Sequence, residues 1–211
     1  MNPWQRIALS DYEAHMAHED VGQLQALSRL TQAQLAAYPA RTLLYLGIAG
    51  GNGLEYLEPE RWDAIWGVDI NAAYLAACRA RYGRLGGRLR LLQRDLSQPC
   101  DLPRADLALA NLLVEYIGVA AFCDRLRACQ PCWISCVLQQ DEGAGFVART
   151  PYAACLDGLG EVHRTILPGD LRGALARLGY APGYEQRVRL PQGKTLLRLD
   201  FALPCEPTML K

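Results

Sequence analysis

The chain has 211 residues, 51% of them hydrophobic, with 22 basic and 22 acidic side chains. It is long enough to bury a substantial core, and its balanced charge gives no general pull toward nucleic acid or an anionic membrane. No run approaches the roughly 20 apolar residues of a membrane span, and the opening MNPWQRIALSDYE lacks the basic-then-apolar pattern of a secretory signal, so a soluble cytoplasmic protein is expected.

Ser10 and Glu13 match an S-x-x-E capping box, which predicts a helix from Asp11 carrying DYEAHMAH. Val21, Leu24, Leu27 and Leu35 recur at helical spacing until Pro39 ends a second helix. RTLLYLG (41–47) reads as a buried parallel strand, with further strands at 64–69, 89–93, 106–110 and 132–138. Helical stretches fall between them, around 53–57, 72–82 and 117–129. Strands separated by helices imply right-handed crossovers and a parallel sheet. After a helix at 168–180, closed by Gly179, two strands flank a PQGK turn as an antiparallel hairpin. Repeats and linkers are lacking, so a single domain over 1–211 is expected: a helical cap (1–40), a cofactor-binding core (41–140) and a C-terminal helix and hairpin (141–211).

The stretch LLYLGIAGGNG (43–53) runs a strand into glycines and an expected helix. Such a turn exposes backbone N–H groups, with a helix dipole behind them, at the carboxyl edge of the sheet. Asp69 ends the next strand, where a carboxylate can accept hydrogen bonds from both hydroxyls of a ribose. The plainer alternative is a tight turn with a surface aspartate; the strand register on both sides favours a nucleotide site. A dinucleotide is disfavoured, because G-x-G-x-x-G does not occur: from Gly47 the third and sixth places are Ala49 and Asn52.

Taken together, LLYLGIAGGNGL, GVDIN, LLQRDLS and DLALANLLVEYIG resemble, in order, four motifs of the class I S-adenosylmethionine-dependent methyltransferases. The resemblance spans about residues 41–140 and implies an α/β, Rossmann-like doubly wound sheet, mostly parallel, with a reversed C-terminal strand. It implies S-adenosylmethionine as cofactor, leaving S-adenosylhomocysteine. The implied cofactor site comprises Gly47, Ile48, Ala49, Gly51 and Asn52 in the loop and Asp69 and Ile70 at the ribose. Asp95 and Leu96 would lie beside the adenine, Asn111 under the methionine part and Tyr12 above. Two departures stand out. Tyr45 replaces a usual acidic residue, and Ala49 replaces the second glycine, a mild change if its φ is negative.

Methyl transfer needs position and, for many acceptors, a base. Glu115, Tyr116 and His15 are the catalytic candidates, although Glu115 and Tyr116 could simply begin a helix. The short helix 11–18, with Tyr12, His15 and Met16, is expected to form a lid over the methyl group. A small-molecule acceptor is expected: no N-P-P-Y follows strand four, and the six arginines between Arg79 and Arg94 fall away from the transferred methyl. The competing readings are an NAD(P)-type oxidoreductase and a non-catalytic S-adenosylmethionine-binding protein. No metal is expected. His15 and His18 lack a third ligand and read as solvated, His163 reads as structural or surface, and CQPC (129–132) reads as core packing. The oligomeric state is left open.

Overall fold

A computed structural model describes residues 2–141 and 145–204. After a 3-10 turn at Pro3–Gln5 come helices α1 (Leu9–Ala17) and α2 (Gln23–Ala36), then strand β1 (Thr42–Leu46). The alternation continues through β2 (Ala64–Asp69), α3 (Ala72–Arg81), β3 (Leu89–Gln93), β4 (Leu107–Asn111), α4 (Val114–Cys129) and β5 (Trp133–Asp141). A 3-10 segment at Ala153–Glu161, helix α5 (Pro168–Ala176) and the hairpin β6 (Ala181–Leu190) and β7 (Lys194–Ala202) complete the chain.

These strands form one seven-stranded sheet in the order β3-β2-β1-β4-β5-β7-β6. The first five run parallel, and β7 is antiparallel to both β5 and β6. The sheet is the expected one, hairpin included. Its apolar runs bury side chains on both faces. Leu44, Leu46, Ala108 and Ile134 pack with α4 and α5, whereas Leu43, Tyr45, Ile65 and Leu109 pack on the side of α2 and α3. Chain order reverses at β1, which has β2 on one side and β4 on the other, so a crevice opens beyond the carboxyl ends of β1 and β4.

Three local expectations fail. The capping box does not form: Ala8 is the N-cap of α1, without a side-chain cap bond, and Glu13 instead pairs with Arg81. The 53–57 helix shrinks to a 3-10 turn at Leu54–Tyr56, followed by another at Pro59–Arg61. Gly53 is left-handed (φ +95) and Pro59 forces Glu58 into an extended conformation, so no longer helix can propagate. The glycine loop therefore has no long helix behind it, and the helix-dipole argument falls away. Finally, residues 1–40 are not only a cap. Thr31 and Gln34 of α2 are fully buried, and Leu27 and Leu30 pack with Val137 of β5 and Leu196 of β7, so α2 covers one face of the sheet.

Candidate functional site

The loop after β1 is shaped by its backbone. Gly47 has φ +70, and a Cβ there would sit 3.1 Å from Leu113 Cδ1. Ala49 is also left-handed, at φ +47, so the condition under which it would be a mild replacement for glycine is not met. That conformation costs an alanine about 1 kcal/mol. Asp69 offsets the cost: its Oδ2 accepts the Ala49 N–H at 2.9 Å, while Oδ1 accepts the Asn71 N–H at 2.9 Å. The N–H groups of Gly47 and Ile48 both donate to the Val68 carbonyl, at 2.8 and 3.1 Å. Burial pushes the Asp69 carboxyl upward in pKa, opposed by the N–H groups of Asn71, Ala49 and Ile70. Both oxygens keep lone-pair capacity to spare.

A cavity opens over this loop. Gly47, Ala49, Asp69 and Ile70 line it on one side, Asp95 and Leu96 on another, and Asn111 with Leu112 and Leu113 at the end of β4. Asp95 is fixed by Ser97, whose N–H and hydroxyl both reach its Oδ1, at 2.9 and 2.6 Å. The Asn111 amide is turned to α2: it exchanges hydrogen bonds with the Gln34 amide at 2.9 and 2.8 Å and donates to Thr31 Oγ1 at 3.1 Å. Leu112 is left-handed, at φ +52, an uncommon state for a bulky residue and one that clusters at functional sites. Tyr74 also borders this space, and its hydroxyl is buried without a hydrogen-bond partner.

Several candidates face elsewhere. Ile48, Gly51 and Asn52 do not line the cavity. The Ile48 side chain packs in the core against Gly67, and the Asn52 amide donates to the Leu24 carbonyl at 3.0 Å. Tyr45 is buried beneath the loop, its hydroxyl 3.4 Å from both the Asn52 carbonyl and the Asn111 amide nitrogen.

A second cavity adjoins the first and shares Trp4, Tyr12, Leu112 and Tyr116 with it. Its floor comes from the first turn of α4, which breaks at Gly118 (φ +81, ψ 157) and so turns Glu115 and Tyr116 out of line with the rest of the helix. Glu115 is 2% exposed. Its Oε1 accepts the Gln139 N–H at 2.7 Å, while Oε2 has no partner. Burial pushes this carboxyl up to about 7, the Gln139 N–H opposing and Asp141 adding to the rise. Burial likewise raises the Tyr116 hydroxyl, with the Glu115 charge adding to it.

His15 lies in this second cavity with the other two catalytic candidates, 3% exposed, with Nδ1 2.8 Å from Thr150 Oγ1. Burial lowers its pKa, assisted by His18 and Lys194, which keeps the ring neutral. Rings continue around the walls. Trp4 meets Tyr12 and Tyr116 edge-on, with centroids 5.4 and 4.9 Å apart, and His163 stacks on Phe146 at 3.9 Å.

The N-terminal segment roofs both cavities and is fastened at two points. Asn71 donates to the carbonyls of Trp4 (2.9 Å) and Ile7 (3.4 Å), and both guanidinium nitrogens of Arg81 reach the Glu13 carboxylate.

Sequence reasoning missed Trp4, Tyr74, Gln139, Phe146 and His163. Trp4 precedes the first recognisable helix, and the others sit in stretches matching no site pattern. Only the aromatic spacing around GEVHRTI and GFV could have drawn attention to the last two. Among the described residues no group of three or more His, Cys, Asp or Glu could hold a metal ion. Of the CQPC cysteines, Cys129 is buried as expected of core packing, its thiol 3.2 Å from the Arg125 carbonyl, whereas Cys132 is exposed because it lies in the short connection between the end of α4 and β5. In the arginine strip, Arg84 is spent on the carbonyls of Leu54, Glu55 and Leu57, while Arg94 borders the first cavity.

No protein-family model matches the sequence, and no curated protein is similar to it. Solved structures do match. The N-methyltransferase NodS from Bradyrhizobium japonicum WM9, in complex with S-adenosyl-L-homocysteine, superposes with a TM-score of 0.66 at 15% identity, over 97% of this chain and 100% of that one. The 1,6-didemethyltoxoflavin-N1-methyltransferase of Burkholderia thailandensis, with 1,6-didemethyltoxoflavin and S-adenosylhomocysteine bound, gives 0.61 at 20% identity, over 92% of this chain and 86% of that one. The [4+2]-cyclase SpnF gives 0.62 at 15% identity, over 88% and 84%. With its reversed last strand and its crevice at β1 and β4, the chain has the Rossmann-like fold of the class I S-adenosylmethionine-dependent methyltransferases.

Proposed function

We propose that this chain is an S-adenosylmethionine-dependent methyltransferase that acts on a small-molecule acceptor in the cytoplasm. The fold alone does not decide this, since a [4+2]-cyclase shares it. The observation that carries the reading is the pair of joined cavities at the carboxyl edge of β1 and β4. One is bordered by Asp69, the other by the unpaired Glu115 oxygen.

The residues present fit the cofactor. Asp69 retains acceptor capacity for ribose hydroxyls, Ile70 and Leu96 offer apolar sides for an adenine, and Gly47 leaves its backbone bare. The orphaned Tyr74 hydroxyl is a donor that a bound polar group would satisfy. Because α2 engages the Asn111 side chain, Asn111 would act on the methionine part through its main chain. The bound cofactor supplies a methyl group already activated on a sulfonium sulfur. The protein's share is then mainly position, on the order of 7–11 kcal/mol where geometry is good, and proton removal. Glu115 is the candidate base, Tyr116 and His15 orient the acceptor, and Tyr12 with Trp4 keeps water away from the methyl group. The solved methyltransferases of this fold with S-adenosylhomocysteine bound support the same reading. A nucleic-acid substrate is disfavoured because Arg81 and Arg84 are occupied within the chain.

Calorimetry tests the reading. S-adenosylhomocysteine should bind in the micromolar range and NADH should not. Asp69→Ala should weaken the former by about 1.5–3 kcal/mol, the worth of hydrogen bonds to a charged group. Binding of NADH without S-adenosylhomocysteine would identify an oxidoreductase instead.

A further inference from the structure

The second cavity has a one-sided electrostatic character. Glu115 brings a carboxylate with one oxygen unpaired and almost no exposure to water. Among the described residues no Arg or Lys lines the cavity, and nearby Lys194 is engaged by Asp141 at 2.8 Å and by the carbonyls of Gly145 and Phe146 at 2.8 and 3.0 Å. The amides are engaged too: both Gln139 Nε2 donors go to Asp141 and to the Phe146 carbonyl, and Gln23 donates to Gln139. Among the described residues the donors left are the hydroxyls of Tyr12 and Tyr116, the Trp4 indole N–H and the ring N–H groups of His15 and His163, none of them cationic. The walls around the carboxylate are aromatic, and the faces of Trp and Tyr attract cations. A buried carboxylate without a cationic partner is costly, and that cost falls most when the ligand brings the positive charge.

Building on the methyltransferase reading, we propose that the acceptor is an amine that enters this cavity as an ammonium ion and donates an N–H to Glu115 Oε2, among the rings of Trp4, Tyr12 and Tyr116. An ammonium nitrogen has no lone pair, so a proton leaves first, from nitrogen to the Glu115 carboxylate. The nitrogen lone pair then forms the new N–C bond to the methyl carbon. The C–S bond breaks with its electron pair remaining on sulfur, which becomes a neutral thioether. The product leaves as an N-methylated ammonium ion, and Glu115 returns its proton to water. A carboxyl raised to about 7 by burial suits that proton transfer near neutral pH.

The test compares three probes of one skeleton, benzylammonium, benzyl alcohol and benzoate, titrated by NMR at pH 8 into the protein saturated with S-adenosylhomocysteine. Benzylammonium should bind at least tenfold more tightly than the alcohol, and benzoate least of all. Glu115→Gln should abolish the preference, and Glu115→Asp, which keeps the charge, should retain part of it. Equal binding of alcohol and amine, tighter binding of benzoate, no binding of the amine, or an undiminished preference in Glu115→Gln would each overturn the proposal. If Glu115→Gln does not fold, the wild-type ranking and Glu115→Asp decide. Failure of S-adenosylhomocysteine itself to bind would overturn the methyltransferase reading, whereas its binding without charge preference would overturn the amine alone.

Discussion

Glu115→Gln should change how stability depends on pH. The wild-type carboxyl is pushed from an ordinary 4.5 to about 7, chiefly by burial. Below pH 4.5 the carboxyl is protonated whether the chain is folded or not. As pH rises from 4.5 to about 7 the unfolded chain loses this proton while the folded chain keeps it, so stability falls through that window and levels off above it. At 1.36 kcal/mol per pH unit, the loss complete at pH 8 is about 3 kcal/mol, with no discount for solvent because the group is buried. The groups facing Glu115 are Asp141, His15, His163 and Tyr116. The two lowered histidines act in the opposite sense, losing stability as pH falls, but they are present in both proteins and cancel in the comparison. Glutamine can still accept the Gln139 N–H and buries an unpaired amide instead, at a cost of about 1–3 kcal/mol that does not vary with pH. The stability gap between wild type and variant should therefore move by about 3 kcal/mol in the variant's favour between pH 4.5 and pH 8. Urea unfolding at pH 5, 6, 7 and 8 would register most of this as a relative shift of roughly 1–2 M in midpoint, at about 2 kcal/mol per M. Curves that stay parallel across the series would refute the assignment of a buried, upward-shifted carboxyl.

Tyr74→Phe removes a buried hydroxyl that lacks a partner, so the free protein should gain about 1 kcal/mol by thermal unfolding while S-adenosylhomocysteine binding weakens; loss of stability with unchanged binding would contradict both. Gly53→Ala would combine a left-handed alanine with a Cβ in hard contact with Thr31, so it should cost more than about 2 kcal/mol in denaturant unfolding, and a neutral result would mean that α2 does not pack against this loop as described. If α1 is a lid, hydrogen exchange at residues 8–20 should slow when S-adenosylhomocysteine binds, and unchanged protection would remove the lid.

The sheet was legible because each parallel strand is an uninterrupted apolar run, and β2 and β3 fall at the expected residues. Asp69, Asp95 and Asn111 could be anticipated because strand ends are where such a fold opens. Misreadings arose where a local signal met a tertiary competitor. Glu13 matched a capping box, yet a cation from α3 takes its carboxylate. The stretch after Gly53 looked helical, yet Gly53 and Pro59 divide it and α2, from before β1, takes the space beside it. The second cavity was the least legible part. Its rings come from residue 4, from the start of α4 and from residues 146 and 163, and no sequence period links positions so far apart. The surroundings of His15 were hidden for the same reason, since Thr150 and Phe146 lie more than a hundred residues away.

The unfavourable local features of this chain are not spread evenly. Four non-glycine residues are left-handed among the described residues, and two have ready structural causes: Gln130 caps the end of α4, and Gln192 forms the β6–β7 turn. The other two, Ala49 and Leu112, both border the first cavity, and Ala49 is strained where glycine would not be. Among the described residues three buried side chains have an unpaired polar atom: Tyr74 and Glu115 border the two cavities, and Arg125 lies apart. Each such feature costs roughly 1–3 kcal/mol in the free protein, and an apolar or glycine substitute would avoid it. A chain that only had to fold would gain nothing by gathering them along one crevice. A ligand that fills the crevice, hydrogen-bonds Tyr74 and brings a proton donor to Glu115 recovers part of that cost on binding, which links the strain in the loops to the chemistry proposed for the cavities.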